Sequence, residues 1–117
     1  MPDRVQQIRF FRNHIPAFAC KPGCHDCCGP VTASSVEMQW LPRKTAAEHA
    51  AALDHLDCVY LGADGCTVYA ERPLICRLFG TVPSLPCPHG LGPATPTEPA
   101  VEAALQLFQR QTRQVLL

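Results

Sequence analysis

Cys20-Lys21-Pro22-Gly23-Cys24-His25-Asp26-Cys27-Cys28 places four thiols in nine residues. Pro22 and Gly23 favour turns and fit poorly in a helix or strand, so the stretch reads as a tight chelating loop. Four more cysteines follow, Cys58, Cys66, Cys76 and Cys87, making eight in all. Cysteines separated by two or three residues bend around one ion, and soft thiolates select zinc, copper(I) or iron-sulfur clusters over hard cations. The leading reading is a metal centre fed by sulfur from both halves of the chain, with all eight cysteines as candidate ligands and enough thiols for two centres. Cys27 and Cys28 are adjacent. Consecutive side chains of an extended segment point apart, so the two are expected to differ in role, one serving a second metal or packing as a buried thiol.

The composition supports a small, cross-linked fold. A length of 117 residues falls in the range of roughly 100–200 residues usual for one domain, and a single metal-binding domain over 1–117 is expected. The apolar fraction of 47% counts the cysteines and many alanines, while aromatics are 7% and prolines number 12, so bulky core formers are scarce. A structural zinc site contributes roughly 10–16 kcal/mol, against roughly 5–15 kcal/mol for the whole stability of an ordinary domain. The chain is therefore expected to fold poorly without its metal.

Charge and hydropathy narrow the partners. Ten basic and ten acidic residues give a net charge of zero, which removes the general attraction behind non-specific nucleic-acid binding. No run of about 20 apolar residues is present and the start, Met-Pro-Asp-Arg, carries no apolar export signal. A cytoplasmic protein with no nucleic-acid and no membrane partner is expected. Arg4, Arg9 and Arg12 on an amphipathic helix would also suit a mitochondrial leader, but Asp3 and the polar face are ordinary for a surface helix. In a reducing compartment dense cysteines favour metal or redox chemistry. The alternative, a secreted scaffold with four disulfides, lacks its export signal.

Working outward from the loop, Val5, Ile8, Phe11 and Ile15 recur at three- and four-residue spacing within 3–18 and predict a helix ending near His14, before Pro16. Val31-Thr32-Ala33 reads as a strand or an extended connector. Ser34-Ser35-Val36-Glu37 and Thr45-Ala46-Ala47-Glu48 are capping boxes, the second opening an alanine-rich helix to about His55. Cys58-Val-Tyr-Leu61 and Cys66-Thr-Val-Tyr69, joined by Gly62-Ala63-Asp64-Gly65, predict a short hairpin with Leu61 opposite Cys66. Regular alternation then turns Cys58 to the other face, so the two thiols serve different sites unless a bulge realigns them. Glu71-Arg72-Pro73 predicts a short helix with proline at its first position, ending before Gly80 and carrying Cys76. The proline-rich stretch 81–96 reads as an irregular wrap that delivers Cys87. Thr95-Pro96-Thr97-Glu98 reads as a third capping box, opening a helix over about 96–115 with Val101, Ala104, Leu105, Phe108 and Val115 on its core face.

Four thiolates around a divalent ion leave net negative charge that nearby donors must balance. Arg72 and Arg77, flanking Cys76, are candidates, and surface solvation is the alternative for each. His25 and His89 lie beside thiols and are candidates to replace one or to support it. Cys20-x3-Cys24-x2-Cys27 also has a spacing that resembles radical S-adenosylmethionine enzymes, but no run of alternating strands and helices follows it here.

Cys20-x3-Cys24-x2-Cys27-Cys28, Cys58, the run Gly65 to Phe79 (Gly-Cys-Thr-Val-Tyr-Ala-Glu-Arg-Pro-Leu-Ile-Cys-Arg-Leu-Phe) and Cys87 together resemble the YkgJ-like cysteine-cluster family of CxxCxxCC zinc- or iron-chelating domains. The resemblance covers residues 20–87, and Tyr69-x-x-Arg72-Pro73-x-x-Cys76-Arg77-x-Phe79 is its most specific part. The family often has two residues between its first cysteines where this chain has three, which puts Cys20 apart. The resemblance implies binding of zinc, or of iron as a cluster, and implies no reaction. The expected fold is a mostly helical α+β domain with a short hairpin, stapled by a cysteine-ligated metal. The expected function is a metal-binding module in a structural, carrier or accessory role. The alternative is a redox or iron-sulfur-dependent enzyme with one open thiol or iron position.

Overall fold

Asp3 opens the first helix. Its carboxylate accepts the Gln6 amide at 2.8 Å, and the Gln6 side chain accepts the Asp3 amide at 3.0 Å. In the computed structural model, residues 3–20, 24 and 28–117 are described. The elements are α1 (Arg4–His14), β1 (Thr32–Ser34), α2 (Ser35–Met38), α3 (Ala46–Asp54), β2 (Leu61–Gly62), β3 (Gly65–Cys66), α4 (Leu74–Leu78), α5 (Pro99–Gln111) and β4 (Gln114–Leu116), with a 3₁₀ turn at Tyr69–Glu71. The fold is α+β and mostly helical, as the sequence predicts.

Both capping boxes predicted for α2 and α3 form. The Ser34 and Thr45 hydroxyls accept the Glu37 and Glu48 amides, and each glutamate reaches back to the amide of its cap. The third box does not form. Thr97 is buried, its hydroxyl donates to that of Thr81 at 2.8 Å, and its amide donates to the Thr81 carbonyl. Thr97 is held by the proline-rich wrap, so the helix waits for Pro99, whose fixed φ suits the first helical position. The last helix is thus shorter than predicted. Val101, Leu105 and Phe108 are buried, but Ala104 is exposed and Val115 lies on β4. Pro73 likewise stands just outside α4 as its N-cap.

The β-structure consists of two antiparallel pairs among the described residues. β2 and β3 form the predicted hairpin, with Leu61 opposite Cys66 and Gly62 opposite Gly65. β1 pairs with β4 in the register Thr32 to Leu116, Ala33 to Val115 and Ser34 to Gln114. The Leu117 amide extends this ladder to the Val31 carbonyl at 2.8 Å.

Two apolar clusters result. The first joins Ile8, Phe11 and Ile15 of α1 to Leu74 and Leu78 of α4, Val82, and Val101, Leu105 and Phe108 of α5. The second contains Ala33, Leu41, Val59, Tyr60 and Leu117, with Cys58 and Cys76 packed against it. Helix α4 serves both. At 100° per residue, Leu74 and Leu78 share one face while Cys76, two residues from each, lies on the opposite one. Among the described residues no helix is long and apolar enough to cross a membrane.

Candidate metal centre

Cysteines from three separate stretches face one cavity of about 360 Å³. Cys20, Cys24 and Cys28 come from the segment after α1, Cys58 and Cys66 from the hairpin region, and Cys76 from α4. Val31, Tyr60, Val68, Pro73, Phe79 and Leu117 give the cavity apolar walls, and Asp64, Tyr69 and Arg72 bring polar groups to it. No disulfide joins the seven described cysteines to one another. Cys87, held between Pro86 and Pro88, is half-buried and is not among the lining residues, and neither is the exposed His89. Cys27 and His25 lie outside the described residues.

The hairpin delivers both of its thiols to the same cavity, contrary to the expectation that regular alternation would separate them. Cys58 lies in a turn rather than on a strand: its carbonyl accepts the Leu61 amide at 3.0 Å. That turn breaks the period-two alternation before β2 begins, so no bulge is needed. The Tyr60 carbonyl then accepts the Thr67 amide and hydroxyl at 2.9 and 2.5 Å, holding the hairpin across its base.

Burial pushes the Cys76 thiol up to about 12, with further upward pressure from Cys58, Cys66 and Cys28 and an opposing influence from Arg72. Burial also raises Cys58, and its proximity to Cys66 adds to the effect. Without a cation, accumulating thiolate charge in this apolar pocket is unfavourable, so a metal ion would supply what the neutral thiols lack. The donor chemistry suits a soft or borderline ion such as zinc or iron. Among the described residues the thiols ring the cavity, and no three Cys, His, Asp or Glu side chains converge as a ready ligand set.

The two arginines flanking Cys76 part ways. Arg72 lines the cavity, with its guanidinium 3.9 Å from the Tyr69 ring centroid and its Nε donating to the Tyr69 carbonyl at 3.0 Å. Arg77 does not line it. Its Nε donates to the Arg72 carbonyl and a terminal nitrogen to the Ala70 carbonyl, both at 2.8 Å, so it ties down the turn that carries Arg72. Burial lowers the Arg77 pKa, and the neighbouring Arg12 and Arg72 charges lower it further.

Tyr69 and Asp64 are site residues whose role the sequence does not announce. The Tyr69 hydroxyl donates to Cys20 Sγ at 3.7 Å. Asp64 reads as a turn residue, and only the position of the hairpin loop brings it to the cavity.

The family described as "CxxCxxCC: Putative zinc- or iron-chelating domain" matches residues 19–106. The chain belongs to this family. Membership brings metal chelation, with zinc or iron as the metal. No curated protein and no solved structure matches the chain. The match of this CxxCxxCC chain ends within α5, so β4 and the Leu117 wall lie beyond the part shared with the family.

Proposed function

We propose that this CxxCxxCC chain is a metal-binding module that holds zinc or iron through the thiolates facing the cavity, in a structural, carrier or accessory role. The observation that carries the reading is that Cys20, Cys24, Cys28, Cys58, Cys66 and Cys76 all line one largely apolar cavity. Such walls exclude water and strengthen each metal-thiolate contact. The same enclosure makes uncompensated thiolates costly, so loading displaces the thiol protons. Ligands drawn from three separate stretches of the chain couple metal content to folding. Cys87, lying apart, is no ligand in this reading.

Elemental analysis for zinc and iron, with labile sulfide and a visible spectrum, on protein purified without oxygen tests the proposal. Stoichiometric zinc without visible absorption, or iron with its thiolate bands, is expected. Cys76→Ser should release most of the metal and Cys87→Ser should retain it. Metal-free protein with every thiol titratable, or a Cys76→Ser variant with full metal, overturns the reading.

A further inference from the structure

We propose that Cys20 is the exchange thiol of the cavity, the sulfur that takes a thiolate-bound soft metal ion from its donor and passes it inward. The inference rests on the metal-binding reading and deepens it by assigning an order to the ligands. Of the described cysteines facing the cavity, Cys20 is exposed, whereas Cys24, Cys28, Cys58, Cys66 and Cys76 are half-buried. It lies at the end of a stretch, 16–20, with neither helix nor strand, while Cys76 is fixed on α4 and packed against the second apolar cluster. Cys20 also lines a small neighbouring cavity of about 30 Å³ together with Phe18, Arg72 and Arg77. It therefore stands at the rim, between the inner thiols and the outside.

The rim is furnished for an incoming thiolate complex. The Tyr69 hydroxyl orients Cys20 Sγ from 3.7 Å, and Tyr69 is itself half-exposed. Arg72, stacked on that ring, places a positive charge beside the same opening, which favours an anionic metal-thiolate complex over a hydrated cation. In the exchange step the bond from the metal to a donor sulfur breaks as the bond to Cys20 Sγ forms. The Cys20 thiol proton passes to the departing donor sulfur, and the metal keeps its oxidation state. The same ligand exchange with Cys58, Cys66 or Cys76 then moves the ion inward. Attack by a thiol on a metal ion held by a donor depends on access, which the exposed Cys20 has in greater measure than the half-buried inner thiols.

The test follows cadmium(II), offered as its glutathione complex to the full chain, by the ultraviolet charge-transfer band of the thiolate-bound metal, recording both the loading rate and the metal held at equilibrium. Cys20→Ser should slow loading by roughly tenfold or more, out of proportion to any fall in metal held, because the accessible attacking sulfur is gone. Tyr69→Phe, which keeps the ring under Arg72, should slow loading about twofold, since only the orienting bond to the sulfur is lost. Cys76→Ser should show the reverse split, with a large fall in metal held. The assignment is overturned if Cys20→Ser loads at the wild-type rate, or if it loses as large a share of the metal held as Cys76→Ser. If the wild-type chain holds no metal at all, the metal-binding reading itself falls. Normal wild-type loading with an unaffected Cys20→Ser removes only the exchange role.

Discussion

Glu37 shows how much one side chain can organise. It is buried, and one carboxylate oxygen accepts the Ser34 amide and hydroxyl at 3.0 and 2.8 Å while the other accepts the Leu74 amide at 2.7 Å. Leu74 begins α4, whose cap Pro73 offers no side-chain acceptor, so Glu37 fills that need from across the fold. One carboxylate thus closes the capping box of α2 and anchors the helix that carries Cys76. Glu37→Ala strands these donors in the interior and should lower the unfolding free energy by on the order of 3 kcal/mol, read from urea denaturation. Glu37→Gln keeps a carbonyl oxygen for one set of donors and should cost less. The sequence reveals the first role, because a capping box is local. The bond to Leu74, thirty-seven residues away, has no sequence signature.

Gly80 marks the other end of the same helix. Its φ of +81° and a Cβ position 2.5 Å from Phe18 Cζ admit glycine and exclude larger residues. Phe18 can therefore lie directly over the turn that follows Cys76, bringing the segment that ends in Cys20 against α4.

At the level of elements, α3 depends on its caps more than any other helix. None of its residues is buried and only Ala52 packs against the second cluster, so alanine propensity and the Thr45–Glu48 box do much of the holding. Thr45→Ala should destabilise this helix by about 1 kcal/mol, seen as faster amide exchange in its first turn. The hydrogen bonds from Thr45 hold the Glu48 carboxyl below its ordinary value, backbone contribution first, with help from Lys44. A depressed carboxyl pKa in the folded state means stabilisation present above the unfolded value and lost as pH falls through the folded one. In Thr45→Ala the backbone amide still donates to Glu48, so the titration midpoint, followed by carbon NMR of the carboxyl, should move upward only by the share that the lost hydroxyl supplied.

The same scale shows what the sequence withholds. α1, the boxes of α2 and α3, and the hairpin register are legible because their partners lie a few residues apart. Thr95-Pro96-Thr97-Glu98 has the letters of a box, yet the Thr97 hydroxyl pairs with Thr81 and no cap forms. β1 is legible only as the strand or extended connector at Val31-Thr32-Ala33, and β4, three residues long and paired with a strand about eighty residues earlier, does not announce itself. The cysteines as a set are plain in the sequence. Which of them meet is not, because the turn at Cys58 and the wrap around Cys87 decide it.

For the molecule as a whole, the two apolar clusters divide the work. The cluster of α1, α4 and α5 contains the fully buried Ile8, Leu74 and Leu105, whereas Cys58 and Cys76 pack against the second cluster. Leu105→Ala should therefore cost about 2–5 kcal/mol of stability by opening a cavity. Stripping the metal with a chelator should act on the other half. Hydrogen exchange should rise first at 28–34, 56–68 and 114–117, while α1 and α5 keep their protection until global unfolding. Uniform loss of protection on chelation would show that one cooperative unit spans both clusters.

The pairing of β4 with β1 also sets a timetable. Every cysteine of the chain precedes Gln114–Leu116 in the sequence, and Leu117 forms part of the wall around six of them. During synthesis the thiols leave the ribosome before β4 can pair with β1. The nascent chain thus passes through an interval in which its sulfur is open to oxidants and to whichever metal is most abundant. Pairing of β4 with β1 closes that interval, so the choice of metal is exposed to cellular conditions earlier than the finished fold would suggest.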